Sequence, residues 1–388
     1  MSERVKNGLS MASSPVQPLS RTCAQAEAQA TERAPRRHQP TPWVGPTRWA
    51  LWMVVLLVLS VLVGFFCLRF GTKAISFSEL VPLVIPGLRS VWETNTVDPI
   101  TSTIVWQVRV PRIVLAFLVG GSLATVGGAL QALLRNPLAD PYVIGVSSGA
   151  ALGAAVAILF GVGGSIGGLS TLPLCAFVGA LGSLAIVYVL ASRHSGLSMY
   201  TLLLAGVVLN AILSAVIMFL TSIAEPSRAF GMYAWLMGNL TGPDPATLGT
   251  LTVYVAIGIG MMVAQARALN LLALGEEVAR SLGVDVERVK KGIFVSAALL
   301  TGAVVAFSGM IGFVGLIVPH MIRLAVSADH RLLLPASCFV GGMFLMVADT
   351  VARTVVSPGE IPVGVITAIV GGPIFLYLLV QRSRRSAL

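Results

Sequence analysis

The sequence predicts an all-α protein that crosses a membrane many times. Of its 388 residues, 56% are hydrophobic and only 11% are charged, whereas soluble domains carry about 25% charged residues. Apolar runs of about 20 residues, the length that spans the hydrocarbon core of a bilayer, recur along the chain. Prolines, glycines and short basic segments separate these runs, as they separate membrane helices.

The apolar runs predict ten transmembrane helices within residues 49–388. The eighth run is too short to cross easily, and glycines precede it, as in the broken helices that line transport pathways. A short interfacial helix is expected at 230–240, and residues 1–48, rich in Ala, Ser, Pro and Gln, are expected to be a disordered tail. The predicted spans are about 49–68, 111–133, 141–160, 172–190, 199–221, 246–265, 292–311, 314–327, 332–354 and 362–381.

The distribution of basic residues predicts the orientation. With both termini in the cytoplasm, 19 of the 26 Lys and Arg residues lie inside and seven lie outside, which is the bias that cytoplasmic loops show. Arg109, Arg112 and Arg353 then face outward, and segment 135–141 faces the cytoplasm. The net charge of +10 is explained by this topology, so nucleic acid is not expected as a partner.

The stretch 109–153 is the centre of the predicted architecture. Gly120, Ala124 and Gly128 recur every four residues in its first helix, a spacing that lets helix backbones approach closely within a membrane. The turn that follows, RNPLADP at 135–141, places an Asn and an Asp between two prolines. Helix packing does not explain these two polar residues, so the turn is a candidate functional segment.

Segment 266–291 is the long charged segment inside the membrane region. Leu274, Val278 and Leu282 recur every four residues, which predicts an amphipathic helix. Gly283 is suited to its C-terminal end, and Asp285 is suited to cap a second helix. The apolar stripe fits two alternatives equally: a groove of a partner protein, or the lipid and the protein's own base.

Neither catalytic nor metal-binding chemistry is visible in the sequence. There is no phosphate loop, no nucleophile elbow and no pair of carboxylates within a span. The four cysteines lack metal-like spacing, and His320 and His330 are interpreted as interfacial polar residues. Asp349, which can pair with Arg353 one turn later, is the one carboxylate inside an apolar span. An ion-driven carrier normally needs more such groups, so we expect the energy source in another subunit.

Several ordered motifs together resemble one family. The permease subunits of type II ABC importers for iron chelates, haem and cobalamin share these motifs, and the resemblance covers about residues 50–385. The tail 1–48 is longer than this family usually shows. The motifs are RVPR at 109–112, Q-x4-NPLADP at 131–141, IGVSSGA at 144–150, GEEVARSLGV at 275–284, SGMIGFVGLIVPHMIR at 308–323, DHRLLLP at 329–335, ADTVAR at 348–353 and EIPVGVITA at 360–368.

The resemblance implies a homodimer in the bacterial inner membrane, with ten helices per subunit and the pathway between the subunits. Two cytoplasmic ATPase subunits would bind ATP and Mg, and a periplasmic binding protein would deliver the cargo. The permease itself would carry no cofactor and perform no reaction. Arg109, Arg112 and Arg353 match residues that dock the binding protein. Coupling helices are implied at about 270–291, with the contact residues Leu274, Gly275, Glu276, Glu277, Val278, Ala279, Arg280, Ser281, Leu282 and Gly283.

The resemblance also implies two gates. Asn136 and Leu138 match the inner gate, and Ser198, Met199 and Tyr200 match the loop of the other gate. The vitamin B12 permease has small hydroxyl residues in that loop, whereas Met199 and Tyr200 are bulkier and suit a flat aromatic ligand. The C-terminal half looks most similar to haem permeases, so haem is the expected cargo, with a ferric siderophore second and cobalamin third. An ion-coupled secondary carrier and a membrane receptor are the competing classes.

Overall fold

The computed structural model describes residues 45–71, 73–84, 98–166, 169–192, 197–357 and 359–386. Apart from residues 45–48, the predicted tail lies outside these ranges, so its disorder stays a prediction. The described chain is helical except for two two-residue strands that pair antiparallel.

The helices follow the order of the apolar runs. A 3-10 turn, Pro141–Ile144, precedes α4, and the strands β1 (Ser165–Ile166) and β2 (Leu169–Ser170) lie between α4 and α5. The helices are α1 Pro46–Arg69, α2 Phe77–Val84, α3 Pro99–Leu133, α4 Val146–Leu159, α5 Thr171–Ala191, α6 Met199–Ile223, α7 Pro226–Leu236, α8 Pro245–Ala264, α9 Ala266–Leu274, α10 Glu276–Ser281, α11 Val286–Ser308, α12 Val314–Ala325, α13 His330–Ala352 and α14 Val363–Ser386.

Each of the ten predicted spans coincides with an apolar helix. Among the described residues, seven helices are long and apolar enough to cross a membrane: α1, α3, α5, α6, α8, α11 and α13. The other three apolar helices, α4, α12 and the stretch Val363–Tyr377 of α14, are shorter. The chain is therefore a multi-pass helical protein, and α12 is as short as the sequence predicts.

Helix α3 forms the centre of the bundle. In its most apolar window 89% of the residues are buried, compared with 22% in α1 and α6. A Cβ placed on Gly120 would overlap the carbonyl oxygen of Gly341 in α13, and one placed on Gly127 would overlap that of Gly315 in α12. The small residues of α3 therefore allow backbone-to-backbone contact, as their spacing predicts.

The start of α3 corrects the prediction. The sequence placed this span at about 111–133, but the helix begins at Pro99, and Asp98 caps it by accepting from the N–H of Ile100 (3.1 Å). Proline lacks an N–H and clashes with the carbonyl four residues back. Residues 104–109 adopt a π-helical turn, and this wider register lets the helix continue through Pro111.

The amphipathic helix that we expected before Gly283 is divided into two, α9 and α10. Gly275, at φ +137°, separates α9 from α10, because such a backbone conformation interrupts the helix and suits glycine. The expected end at Gly283 (φ +83°) and the cap by Asp285, which accepts from the N–H of Arg288 (3.0 Å), are confirmed. The interfacial helix expected at 230–240 is α7, which starts at Pro226 because proline favours the first helical turn.

Candidate functional site

Candidate functional residues lie at both ends of the bundle. We call the end that contains segment 134–145 and helices α9 and α10 the basal end. The end that contains Arg109, Arg112 and Arg353 is called the arginine end. Helix α3 connects the two ends. Arg109 and Arg112 lie about one third of the way along it, and Leu133 is its last residue.

The apolar side chains of the predicted coupling segment are exposed at the basal end. Leu274, Val278 and Leu282 are 68%, 44% and 59% exposed, while Ala279 between them is fully buried and anchors α10 to the bundle. The three side chains therefore do not pack on the described base of the same chain, and a groove of a partner protein and the lipid stay as the alternatives. The three side chains present an apolar surface to whatever lies beyond the base.

A buried lysine connects α10 to α11 at this end. The ammonium of Lys290 lies 2.7 Å from a carboxylate oxygen of Glu276 and 3.4 Å from one of Glu287. The other carboxylate oxygen of Glu287 accepts from the N–H of Leu197 (2.9 Å). This cluster could not be predicted from the sequence, because Glu276, Glu287 and Lys290 lie in a charged segment where ion pairs are usually exposed.

The predicted inner gate is an ordered turn. The side chain of Asn136 accepts from the N–H of Leu138 (3.0 Å), and the Leu138 side chain is exposed. Arg135, at φ +48°, donates to the carbonyl of Leu272 at the end of α9 (3.1 Å). Asp140 caps the 3-10 turn by accepting from the N–H of Tyr142 (2.8 Å). The two polar residues that packing did not explain therefore hold the turn in shape.

The second predicted gate segment begins α6. Ser198 caps the helix by accepting from the N–H of Thr201 (3.3 Å), Met199 is half-buried, and Tyr200 is 78% exposed. Further along α6, Asn210 donates to the carbonyl of Tyr142 (3.0 Å). This hydrogen bond links α6 to the turn that follows the inner gate.

Two arginines at the arginine end bind the free carbonyls at the end of α1. Arg109 donates to the carbonyls of Leu68 (2.6 Å) and Arg69 (3.1 Å), and to that of Lys73. Arg353 donates to the carbonyl of Cys67 (2.9 Å). The last carbonyls of a helix have no partner within it, so these contacts fix the end of α1 to α3 and to the end of α13.

An ion-pair network lies beside this cap. Asp349 and Arg353 are 3.7 Å apart, which confirms the predicted pair. The stronger partner of Asp349 is Arg112, at 2.9 Å, and Arg112 also pairs with Glu360 at 2.9 Å. No sequence spacing could reveal the Arg112–Asp349 pair, because 237 residues separate the two.

The three predicted docking arginines already have partners within the chain. Arg109 and Arg353 are buried, and the side chain of Arg112 is nearly so. In this arrangement Glu360 is the exposed member of the network. Docking of a binding protein on the three arginines stays a prediction, and it requires that they exchange these internal partners for the carboxylates of the partner.

The described residues contain no group of three or more His, Cys, Asp or Glu side chains that could hold a metal ion. The imidazole Nδ1 of His330 lies 2.6 Å from the side-chain oxygen of Asn270, and the amide of Asn270 donates to Asp329 (2.7 Å). These contacts join α9 to the start of α13, and His330 is buried there, a role in helix packing that its interpretation as an interfacial polar residue did not include.

The replacement Asp140→Asn is expected to raise stability at neutral pH. Burial raises the pKa of the Asp140 carboxyl from 3.8 to about 6, so the folded protein binds this proton more tightly than the unfolded chain. The ionised carboxylate therefore opposes folding above about pH 6, and this effect fades as the pH falls toward 4. Melting temperatures of both proteins from pH 4.5 to 8 should differ most at pH 8.

The matched control is Asp244→Asn at the cap of α8. Hydrogen bonds from Thr247 lower the pKa of the Asp244 carboxyl, so its charge favours the folded state and the sign is opposite. We expect this variant to be less stable than the parent at pH 8, with the difference vanishing in acid. If Asp140→Asn gives the same pH profile as Asp244→Asn, the assigned desolvation of Asp140 is wrong.

The fold and the two ends together define a multi-pass membrane permease. The chain belongs to the FecCD transport family, whose sequence profile matches residues 55–381. It is an ABC importer permease of the iron-chelate, haem and cobalamin type, as its motifs predict.

Relatives with different named cargoes are similarly close. The chain is 42% identical to the cobalamin import system permease of Halobacterium salinarum, over 88% of this chain and 92% of the relative. It is 40% identical to the hemin transport system permease of Yersinia pestis, over 85% and 96% of the two chains. A solved structure described as a metal-chelate type ABC transporter in an inward-facing conformation matches with a TM-score of 0.73 and 32% identity, over 85% of this chain and 98% of that one.

Proposed function

We propose that this chain is one subunit of a homodimeric permease that imports haem across the bacterial inner membrane. The observation that carries the proposal is the exposed apolar surface of Leu274, Val278 and Leu282 around α10, in a chain of this family. Such a surface suits a groove in an ATPase subunit. The permease would itself perform no reaction, since two partner subunits would bind and hydrolyse ATP with Mg.

The proposed topology has ten crossings with both termini in the cytoplasm. It combines the seven long helices with the three shorter apolar ones, α4, α12 and α14, which would complete their crossings by local thinning of the bilayer or with support from neighbouring helices. The basal end, which carries α9 and α10, then faces the cytoplasm, in agreement with the distribution of Lys and Arg. Residues 1–48 would form a cytoplasmic tail, and the arginine end would face the periplasm and its binding protein.

The proposed mechanism is a switch between two states of the dimer. ATP binding would close the two ATPase subunits, and the segment 274–283 would transmit this movement to the gates at 136–138 and 198–200. Each ligand favours the state that it binds better. The described carboxylate inside a span, Asp349, is held by Arg112 and Arg353, which supports an external energy source over an ion-coupled carrier.

The choice of haem rests on the segment at the start of α6. Tyr200 is the exposed aromatic residue there, and the half-buried Met199 precedes it. An aromatic ring and a polarizable thioether pack well on a flat conjugated ligand. A ferric siderophore and cobalamin are the alternatives, and the similarity to a cobalamin permease favours the second of these.

ATP-driven uptake into proteoliposomes tests the function. The permease would be reconstituted with its ATPase and binding protein, and haem, a ferric siderophore and cobalamin would be offered in parallel. Uptake of haem alone supports the proposal. Uptake of one of the other two alone supports an ATP-driven importer but contradicts haem as its cargo. If an assembled complex takes up none of them with ATP, the proposed function is wrong.

The double replacement Met199→Ser, Tyr200→Ser is expected to lower haem uptake about 2- to 10-fold, because packing on an aromatic ring contributes about 0.5–1.5 kcal/mol. Initial uptake rates in the same proteoliposomes measure the effect. The control is Met199→Leu, Tyr200→Phe, which keeps the apolar and aromatic surface and should retain uptake. Equal uptake rates for both double variants would show that these side chains have no role in haem transport.

A further inference from the structure

We propose that Lys290 is a positioning residue that transmits movement of the coupling segment to the gate segment at the start of α6. The inference deepens the proposed function and rests on it. It concerns a side chain between the two segments, which belongs neither to the exposed surface around α10 nor to the gates.

Three segments meet at Lys290. Its ammonium contacts Glu276, the first residue of α10, at 2.7 Å, and Glu287, in the first turn of α11, at 3.4 Å. Glu287 in turn accepts from the N–H of Leu197 at 2.9 Å. Leu197 directly precedes Ser198, so a continuous chain of polar contacts runs from α10 to the gate segment.

Burial makes this link stiff. Lys290 is only 5% exposed and Leu197 only 2%, while the side chains of Glu276 and Glu287 are 34% and 35% exposed, so the buried ammonium is the centre of the link and its two carboxylate partners lie at the edge. Ion pairs on the surface contribute little because solvent competes for both partners. A buried charge, in contrast, is held firmly, since loss of one partner leaves the other without compensation. A displacement of Glu276 therefore moves Lys290 and Glu287 with it.

A second contact connects the same segment to the other gate. Arg135, at the start of the inner gate turn, donates to the carbonyl of Leu272 (3.1 Å), two residues before α9 ends. Helices α9 and α10 are thus tied to 135–138 through Arg135 and to 197–200 through Lys290. Movement of one short segment can act on both gates at once.

The neutral replacement Lys290→Met tests this role. We expect the import of cargo per ATP hydrolysed to fall about tenfold, within the 5- to 150-fold range of typical couplings between sites, while the complex assembles and hydrolyses ATP. Lys290→Arg keeps the charge and the donors and should restore most of the import. A residue that only holds the fold would lower assembly and hydrolysis together with import.

The matched control is Arg288→Met. Arg288 lies on the same turn of α11 and pairs with Asp285 at 3.4 Å, but both side chains are exposed and the described contacts of this pair do not reach the gate. We expect import per ATP to stay as in the parent. If Lys290→Met and Arg288→Met give the same ratio, the inference is wrong.

A labelling experiment follows the gate directly. A cysteine placed by Met199→Cys would be modified with a maleimide in the assembled complex, with and without a non-hydrolysable ATP analogue, and the reaction of the parent chain would be subtracted. We expect the analogue to change the labelling rate when Lys290 is present and to leave it unchanged in Lys290→Met. An unchanged response in Lys290→Met overturns the link.

The two proposals fail in different ways. Absence of ATP-driven uptake by the parent complex contradicts the proposed function, and the inference with it. Uptake by the parent together with normal import per ATP in Lys290→Met contradicts the inference alone.

Discussion

Replacing Gly127 by leucine is expected to prevent the bundle from folding. A Cβ at this position would overlap the backbone of Gly315 in the first turn of α12. Neither backbone can move away easily, because α3 is surrounded by other helices and most of its residues are buried. Overpacking costs about 1–3 kcal/mol or more even where only side chains must adjust. We expect a loss of at least about 3 kcal/mol, seen as a failure to obtain monodisperse protein in detergent.

Gly249→Ala in α8 is the matched control. Apart from the neighbouring backbone of its own helix, no atom lies within 4 Å of a Cβ at Gly249, so the methyl group meets open space. Alanine is the better helix former by about 0.8–1.0 kcal/mol, and the variant should be as stable as the parent or slightly more so. If Gly127→Leu and Gly249→Ala give equal yields and melting temperatures, the close approach of α3 and α12 is wrong.

Asp349→Ala is expected to lower the free energy of unfolding by about 3–5 kcal/mol, the typical cost of breaking a buried ion pair by removing one partner. Asp349 is 1% exposed and pairs with both Arg112 and Arg353. Without the carboxylate, two buried guanidinium groups lie close together, and the positioning of Arg353 against α1 is weakened. Thermal melting in detergent, followed by circular dichroism, measures the loss.

Lys73→Ala is the comparison for this effect. Lys73 pairs with Asp98 at 3.5 Å, but about half of each side chain is exposed, and exposed pairs contribute about 0.2–1 kcal/mol. Its melting temperature should remain close to that of the parent. A similar, small change in both variants would show that the Asp349 network does not hold α1, α3 and α13 together.

The sequence predicted the helices well where their apolar length decides the structure. The runs at 172–190, 199–221 and 246–265 became helices with ends within one or two residues of the prediction. A membrane helix must satisfy its backbone internally and span a fixed thickness, so composition and length suffice. The spacing of Gly120, Ala124 and Gly128 likewise reports packing, because close approach depends only on small side chains.

The prediction was wrong where the backbone departs from a regular α-helix. The π turn before Pro111 changes the helical register, and nothing in the residues 104–109 marks it in advance. Leu274, Val278 and Leu282 keep a four-residue spacing, yet Gly275 breaks the helix between the first two. Periodicity reports a shared face only if the backbone stays helical throughout.

The candidate site was predictable in place, but of its pairings only that of Asp349 with Arg353 was predictable. The motifs predict a shared role for Arg109, Arg112 and Arg353, and the structure brings all three to one end of the bundle. Apart from Asp349 beside Arg353, their internal partners are backbone carbonyls at the end of α1 and acidic side chains far away in the chain. Such partners depend on how distant helices pack together, which the residues near each arginine do not encode.

The attachment of α1 has a consequence for how the chain is assembled during synthesis. Trp49 donates to the carbonyl of Arg331 (3.0 Å), 282 residues later, and the carbonyl of Cys67 accepts from Arg353, 286 residues later. At about 5–20 residues per second, the ribosome needs roughly 15 to 60 s to produce these partners. Throughout that interval α1 lacks these neighbours, and because only 22% of its apolar window is buried in the folded chain, most of its surface does not depend on them.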